Sequence, residues 1–252
     1  MDRLSPFFSN FTFSARVLFS GQLCGLSSDH VTKVAGRLHV LRSGVLKILQ
    51  PAGPPVIIDK PTVLFYPRPR RHIFQADRAD GTDILCAFVE FGAGMVNPLI
   101  TALPEPLIVP LESVPELSPT VHLLFAEAFG NRDGRQAAVD RLAEYFMVLL
   151  LRAAMDAQLI KGGILSGLAD ARLAGAITAM HERPENSWSL EVLARTAGMS
   201  RARFATHFRQ VVGVTPLITL PHGASVSRRR CSKKGSRSKW LLQVWATQVP
   251  QH

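Results

Sequence analysis

Arg201, Arg203 and Arg209 recur within a stretch, Ser189 to Pro216, whose acidic content is Glu191 alone. A guanidinium presents its donors in a fixed fork that suits phosphate oxygens and the O6 and N7 edge of guanine. Ala202, Ala205 and Thr206 stand among these arginines and are small enough to let a helix lie deep in a DNA major groove. The competing explanation is an ordinary helical hairpin with a solvated arginine face. One other pair of residues invites chemistry: Cys24 with Cys86, as oxidisable thiols.

The arginines need a helix to align them, and the local pattern predicts two. Ser189 and Ser200 each precede an apolar-periodic run, where a hydroxyl accepts from the open N–H groups of a first turn. Leu190, Leu193, Ala194 and Ala197 fall three or four apart in the first helix, as do Phe204, Phe208, Val211 and Val212 in the second. Gly198 lies between them, at a stop that favours a left-handed backbone. With Phe204 and Phe208 inward, Ala202, Arg203, Thr206, Arg209 and Gln210 face outward. This is the pattern of a helix-turn-helix.

These residues resemble a known family. The leucine-alanine first helix, Ala197-Gly198-Met199-Ser200, Phe204 with Phe208, and the closing Gly213-Val214-Thr215-Pro216 are similar to the first helix-turn-helix of the AraC/XylS transcription regulators. Leu173 to Pro184 with Trp188 fits the helix that precedes this unit there. The resemblance implies a bacterial regulator that binds promoter DNA through two such units joined by a long helix. Ser200, Arg201, Ala202, Arg203, Thr206 and Arg209 are then the DNA-binding set, with Ser200 capping the recognition helix.

The N-terminal half reads differently. Phe11, Phe13, Ala15, Val17 and Phe19 alternate with Thr12, Ser14, Arg16, Leu18 and Ser20, the signature of a half-buried strand. Further strands are expected at Arg37 to Arg42, Val45 to Leu49, Val56 to Ile58, Thr62 to Tyr66 and Asp83 to Phe91. Such a series suggests a sandwich or small barrel. Gly36 to Gly44, then Leu64-Phe65-Tyr66-Pro67 with His72, resembles the two strand blocks of a cupin barrel, a sensor fold that precedes the DNA-binding part in many AraC/XylS proteins.

Pro104, Pro106, Pro110, Pro115 and Pro119 do not fit inside one helix, so this stretch is expected to be a linker wrapped on the barrel. Helices are expected at Val121 to Phe129 and Gln136 to Ala157. In the second, Val139, Leu142, Phe146, Leu149 and Ala153 form a stripe that Tyr145, Met147, Val148 and Leu150 widen. That excess serves either packing against the barrel or a homodimer interface. Lys161-Gly162-Gly163 is expected to be a hinge before a helix from Asp170 to Arg183.

Most other chemistry is excluded on residue count. The cupin resemblance puts His39 and His72 where metal-binding cupins keep ligands, but a stable metal site needs at least three protein ligands, and the second histidine and carboxylate that the resemblance implies beside His39 are missing, so no metal and no cofactor is expected. A small apolar or aromatic effector in the barrel is one possibility and a filled core the other. Both cysteines are expected in strands and without an adjacent cluster of Lys, Arg or His to favour a thiolate, which makes them buried inert thiols. No catalytic triad, phosphate loop or carboxylate pair stands out, and the chain is not expected to be an enzyme.

Composition agrees with a folded body. Of 252 residues, 47% are apolar, and the longest apolar run, Tyr145 to Leu151, is too short for a bilayer. The first residues lack the pattern of an export signal, and three cysteines, Cys24, Cys86 and Cys231, suit reduced thiols, so a cytoplasmic location is expected. The net charge of +10 is concentrated at one end: seven basic and no acidic residues follow Pro216, leaving 22 basic against 19 acidic before it.

The tail departs from the family. A long linker helix and a second helix-turn-helix are expected after Pro216, yet Pro221 and Gly223 oppose a helix and Arg228 to Lys239 is a basic run without apolar period. Disorder is expected, with a frameshift near codon 217 as its proposed origin. The expected fold is α+β and multidomain: a cupin-like β-barrel sensor over residues 1–115, a helical connector over 116–165, a helix-turn-helix bundle over 166–216 and a basic tail over 217–252. The expected function is sequence-specific transcription regulation weakened by loss of the second unit. The alternative is a cupin-type small-molecule binding or dimerisation protein without effective DNA binding.

Overall fold

The computed structural model describes residues 2–28, 35–50, 53–76, 81–92 and 97–216. The basic tail and its expected disorder therefore lie outside the described residues.

Among the described residues, nine strands form two antiparallel sheets. A five-stranded sheet has the order β1-β8-β3-β6-β9, and a four-stranded sheet the order β2-β7-β4-β5. In the larger sheet, β3 (Ala35–Ser43) lies between β8 (Thr82–Phe91) and β6 (Thr62–Tyr66), with β1 (Phe13–Leu23) and β9 (Leu107–Pro110) at the edges. The smaller sheet holds β2 (Gly25–Ser28), β7 (Ile73–Ala76), β4 (Leu46–Leu49) and β5 (Val56–Ile58).

Strand β3 is buried on both faces, which is why it carries so few exposed polar residues. One face, with Leu38, Val40, Val63, Phe65, Leu85, Ala87 and Val89, joins the core shared with the helices. The other, with Leu41, Leu64, Tyr66 and Ile84, packs against Leu46, Ile48, Ile58 and Phe74 between the sheets. Because side chains alternate along a strand, Arg37 and His39 fall on this inter-sheet face with Leu41.

The proline-rich connection is not a free linker. It contributes α2 (Pro98–Ala102) and β9, whose Leu107 pairs with Phe65 and whose Pro110 pairs with Thr62. An edge strand tolerates proline, since one side of its backbone needs no partner there. Pro119 stands in the first turn of α3 (Ser118–Phe129), where a missing N–H is harmless, so the helix starts earlier than Val121. Strands β2 and β7 and the helix α1 (Ser5–Asn10) were not expected; they are too short for a readable period.

Helix α4 (Arg135–Asp156) lies against β1 and α3. Its buried residues are Val139, Ala143, Phe146, Met147, Leu150, Leu151, Ala154 and Met155, so the core face is rotated from the expected stripe and leaves Leu142, Leu149 and Ala153 at its margin. The helix expected from Asp170 to Arg183 starts four residues later, and a short helix precedes it. The short one, α5, spans Gly163–Ala169 and absorbs part of the expected hinge; the expected helix is α6, Ala174–Glu182. Asp170 Oδ1 accepts from the Arg172 and Leu173 amides (2.9 and 3.0 Å), a local bond that competes with helix continuation.

Candidate nucleic-acid interface and sensor pocket

The last two helices are α7 (Leu190–Thr196) and α8 (Arg201–Val212). Ser189 Oγ accepts from the Val192 amide at 3.3 Å and Ser200 Oγ from the Arg203 amide at 3.4 Å, so both hydroxyls cap as the spacing requires. Gly198 takes φ +63° at the turn between the helices, and Gly213 takes φ +87° where α8 ends.

Phe204 and Phe208 are fully buried, with ring centroids 5.6 Å apart, and share a core with Leu193 and Ala194. This leaves Arg201, Ala202, Arg203, Thr206, Arg209 and Gln210 exposed along α8, with Ser200 exposed at its start. All six residues expected to meet DNA thus lie at the start of α8 or on its solvent face. Helix α8 packs on α7 and on α5, where Gly167 lets the helices approach: a Cβ there would meet Ile177 Cδ1 at 2.3 Å and Val212 Cγ2 at 2.9 Å.

The inter-sheet face holds a second site. His39 pairs with Cys86 across β3 and β8, and the side chains meet: His39 Nδ1 is 3.1 Å from Cys86 Sγ. His39 Nε2 is 2.9 Å from His72 Nε2, and His72 Nδ1 is 3.0 Å from the Arg70 carbonyl oxygen. His72 stacks on Tyr66 with ring centroids 4.4 Å apart, and Phe74 stands edge-on to His39 at 4.7 Å. Burial pushes the His39 imidazole well below its usual 6.5, and the neighbouring His72 and Arg37 add to that shift. Burial likewise raises the Tyr66 phenol to about 12.

His39 and Cys86, with Arg37, Leu18, Phe19 and Phe74 among the other walls, line a cavity of about 280 Å³. Arg37 is itself buried, its guanidinium 3.5 Å above the Phe88 ring. This corrects two expectations. Cys86 does have a histidine and an arginine in its surroundings, because antiparallel pairing brings residues 39 and 86 together although 47 positions separate them. Cys24 is not in a strand but exposed in the break between β1 and β2.

Metal chemistry fits this donor set poorly. The thiol meets the Nδ1 side of His39, whereas the two Nε2 atoms face one another on the opposite side of the ring, so the three donors do not converge on one point. Among the described residues, no group of three His, Cys, Asp or Glu side chains is placed to hold an ion. Nor is any described helix long and apolar enough to cross a membrane.

The cupin family description matches residues 2–156, more than half of the chain. An HTH-type transcriptional regulator of Haemophilus influenzae is 39% identical over 118 residues, 47% of this chain and 39% of the relative. The HTH-type transcriptional activator RclR of Escherichia coli is 30% identical over 207 residues, 78% of this chain and 72% of the relative. An AraC-like transcription regulator of Streptomyces lividans is 29% identical over 150 residues, 58% of this chain and 49% of the relative. The chain thus spans between about two fifths and three quarters of these relatives' lengths. With the cupin match and the RclR likeness covering most of its residues, the chain belongs to the AraC-type, HTH-type transcriptional regulators that carry an N-terminal cupin domain.

Proposed function

We propose that this chain regulates transcription by laying α8 in the major groove of promoter DNA. The observation that carries the reading is the division of α8: Phe204 and Phe208 are fully buried, while Arg201, Ala202, Arg203, Thr206 and Arg209 are exposed together. In this reading α7 and α8 act as a helix-turn-helix within residues 166–216, Arg201, Arg203 and Arg209 take phosphates or guanine edges, and Ala202 and Thr206 permit close approach. Residues 1–115 act as the sensor and 116–165 as the connector.

The cavity between the sheets is the effector site of this reading, and the exposed side of α4, where Tyr145 is 53% exposed, is the surface for a second copy. The role is a regulator's rather than an enzyme's. One recognition helix makes few base contacts, so binding is weak and depends strongly on salt. The test is titration of labelled promoter DNA with the wild-type chain and with an Arg203→Ala/Arg209→Ala double variant. Loss of binding in the variant supports the reading; equal binding, or none by the wild type, favours a cupin-type binding protein without effective DNA recognition.

A further inference from the structure

The hydrogen-bond chain between the sheets has a direction. A carbonyl oxygen only accepts, so His72 Nδ1 carries a proton and donates it to Arg70. When both rings are neutral, His72 Nε2 is the acceptor, and the proton between the rings sits on His39 Nε2. That leaves the lone pair of His39 on Nδ1, 3.1 Å from Cys86 Sγ, so the thiol S–H points at a base. The lowered proton affinity of His39 keeps that lone pair free near neutral pH. A thiol, its base and a buried arginine therefore line one largely apolar cavity, with a second histidine behind the base.

We propose that Cys86 is a nucleophile that traps a small, uncharged α,β-unsaturated carbonyl compound as a covalent thioether. The proposal rests on the reading of this cavity as the effector site and names the chemical class it takes. Leu18, Phe19, Leu23 and Phe74 suit the hydrocarbon part of such a molecule, and about 280 Å³ suits a small one. Cys86 Sγ attacks the β-carbon as its proton passes to His39 Nδ1, and the proton on His39 Nε2 passes to His72 Nε2. The carbonyl oxygen gains negative charge, which the Arg37 guanidinium on the same cavity wall stabilises. The α-carbon then takes a proton and the histidines return to their starting state. One S–H bond and one carbon–carbon π bond are lost, one S–C and one C–H bond are gained, and no oxidant or reductant is needed.

The experiment treats the full-length chain with less than one equivalent of trans-2-hexenal and locates the adduct by intact mass and peptide mapping. The mapping compares Cys24, Cys86 and Cys231 within the same molecules, so it needs no variant. Adduct on Cys86 ahead of the exposed Cys24 is the expected result; adduct on Cys24 or Cys231 first overturns the proposal. His39→Gln, checked for retained fold by circular dichroism, is expected to slow alkylation at Cys86 about tenfold or more and to change its pH profile, with Cys24 unaffected. An unchanged rate and profile at Cys86 removes the assigned base. A parallel sample receives hypochlorous acid: oxidation of Cys86 with no hexenal adduct there shows that the class is wrong. None of these readouts involves DNA, so failure of promoter binding leaves the adduct result standing, and failure of the adduct leaves promoter binding untouched.

Discussion

His207 on α8 donates from Nε2 to Asp170 Oδ2 at 2.9 Å, across 37 positions of sequence. The same carboxylate accepts from the Arg172 and Leu173 amides ahead of α6. One aspartate therefore holds the chain between α5 and α6 in its turn and ties α8 to it. His207 is half-buried on the flank of α8, one turn on from Arg203, where its bond to Asp170 sets the position of the proposed recognition face.

Removal of that tie loosens α8. Asp170→Ala is expected to lower stability by about 1–2 kcal/mol, as loss of a cap does, and His207→Ala by about 1 kcal/mol. Burial opposes ionisation of Asp170, but bonds from Leu173, Arg172 and His207 outweigh it and hold the carboxyl below its usual 3.8. A lowered folded value means stability that is present above 3.8 and lost as pH falls through the folded value. Thermal melting in acid should show a smaller pH dependence in Asp170→Asn than in the wild type; identical slopes would rule out the linkage.

His181 gives a different pH window. Its ring lies edge-on to Phe7 and Phe11 of the N-terminal segment, and neither ring nitrogen has a hydrogen-bond partner among the described residues. Burial lowers it from 6.5 to about 4. The unfolded chain therefore takes up a proton as pH falls below 6.5, while the folded chain resists until about 4, so stability is lost between these values, by up to about 3 kcal/mol. His181→Phe should flatten the melting temperature across that window. A slope unchanged from wild type would show that other groups set it.

The inward rings are the strongest structural requirement of α8. Phe204→Ala removes a fully buried ring from the core shared with Leu193 and Phe208, and is expected to cost about 3–5 kcal/mol. Urea unfolding measures this directly. A loss under about 1 kcal/mol would mean that the site is far looser than its burial implies.

Binding to DNA should depend on salt in proportion to the phosphates neutralised. If Arg203 and Arg209 each contact a phosphate, the double alanine variant loses about 2 from the slope of log affinity against log salt. Should the slope stay constant while discrimination between promoter and random DNA disappears, the two arginines read base edges instead.

Local order supplied much of the fold in advance. The caps Ser189 and Ser200, the turn at Gly198 and the burial of Phe204 and Phe208 depend on residues within four positions of one another, so periodicity exposes them. Strand β5 at Val56–Ile58 and strand β6 at Thr62–Tyr66 were legible from the proline and charged residues that bound each short apolar run. Proline misled at Pro110 and Pro119, because its effect depends on whether a backbone N–H has a partner at that place, which sequence does not state.

Sequence by itself determined the family pattern of the last two helices, the alternation of the strands and the composition of the exposed arginine face, since each is written in spacings of two to four residues. Tertiary structure alone decided that His39, His72 and Cys86 form one chain of contacts, that the proline-rich segment closes a sheet as β9, and that Asp170 anchors His207. These contacts join residues 33 to 47 or more positions apart. Only the register of one strand against another, or the packing of one helix on another, brings such residues within reach.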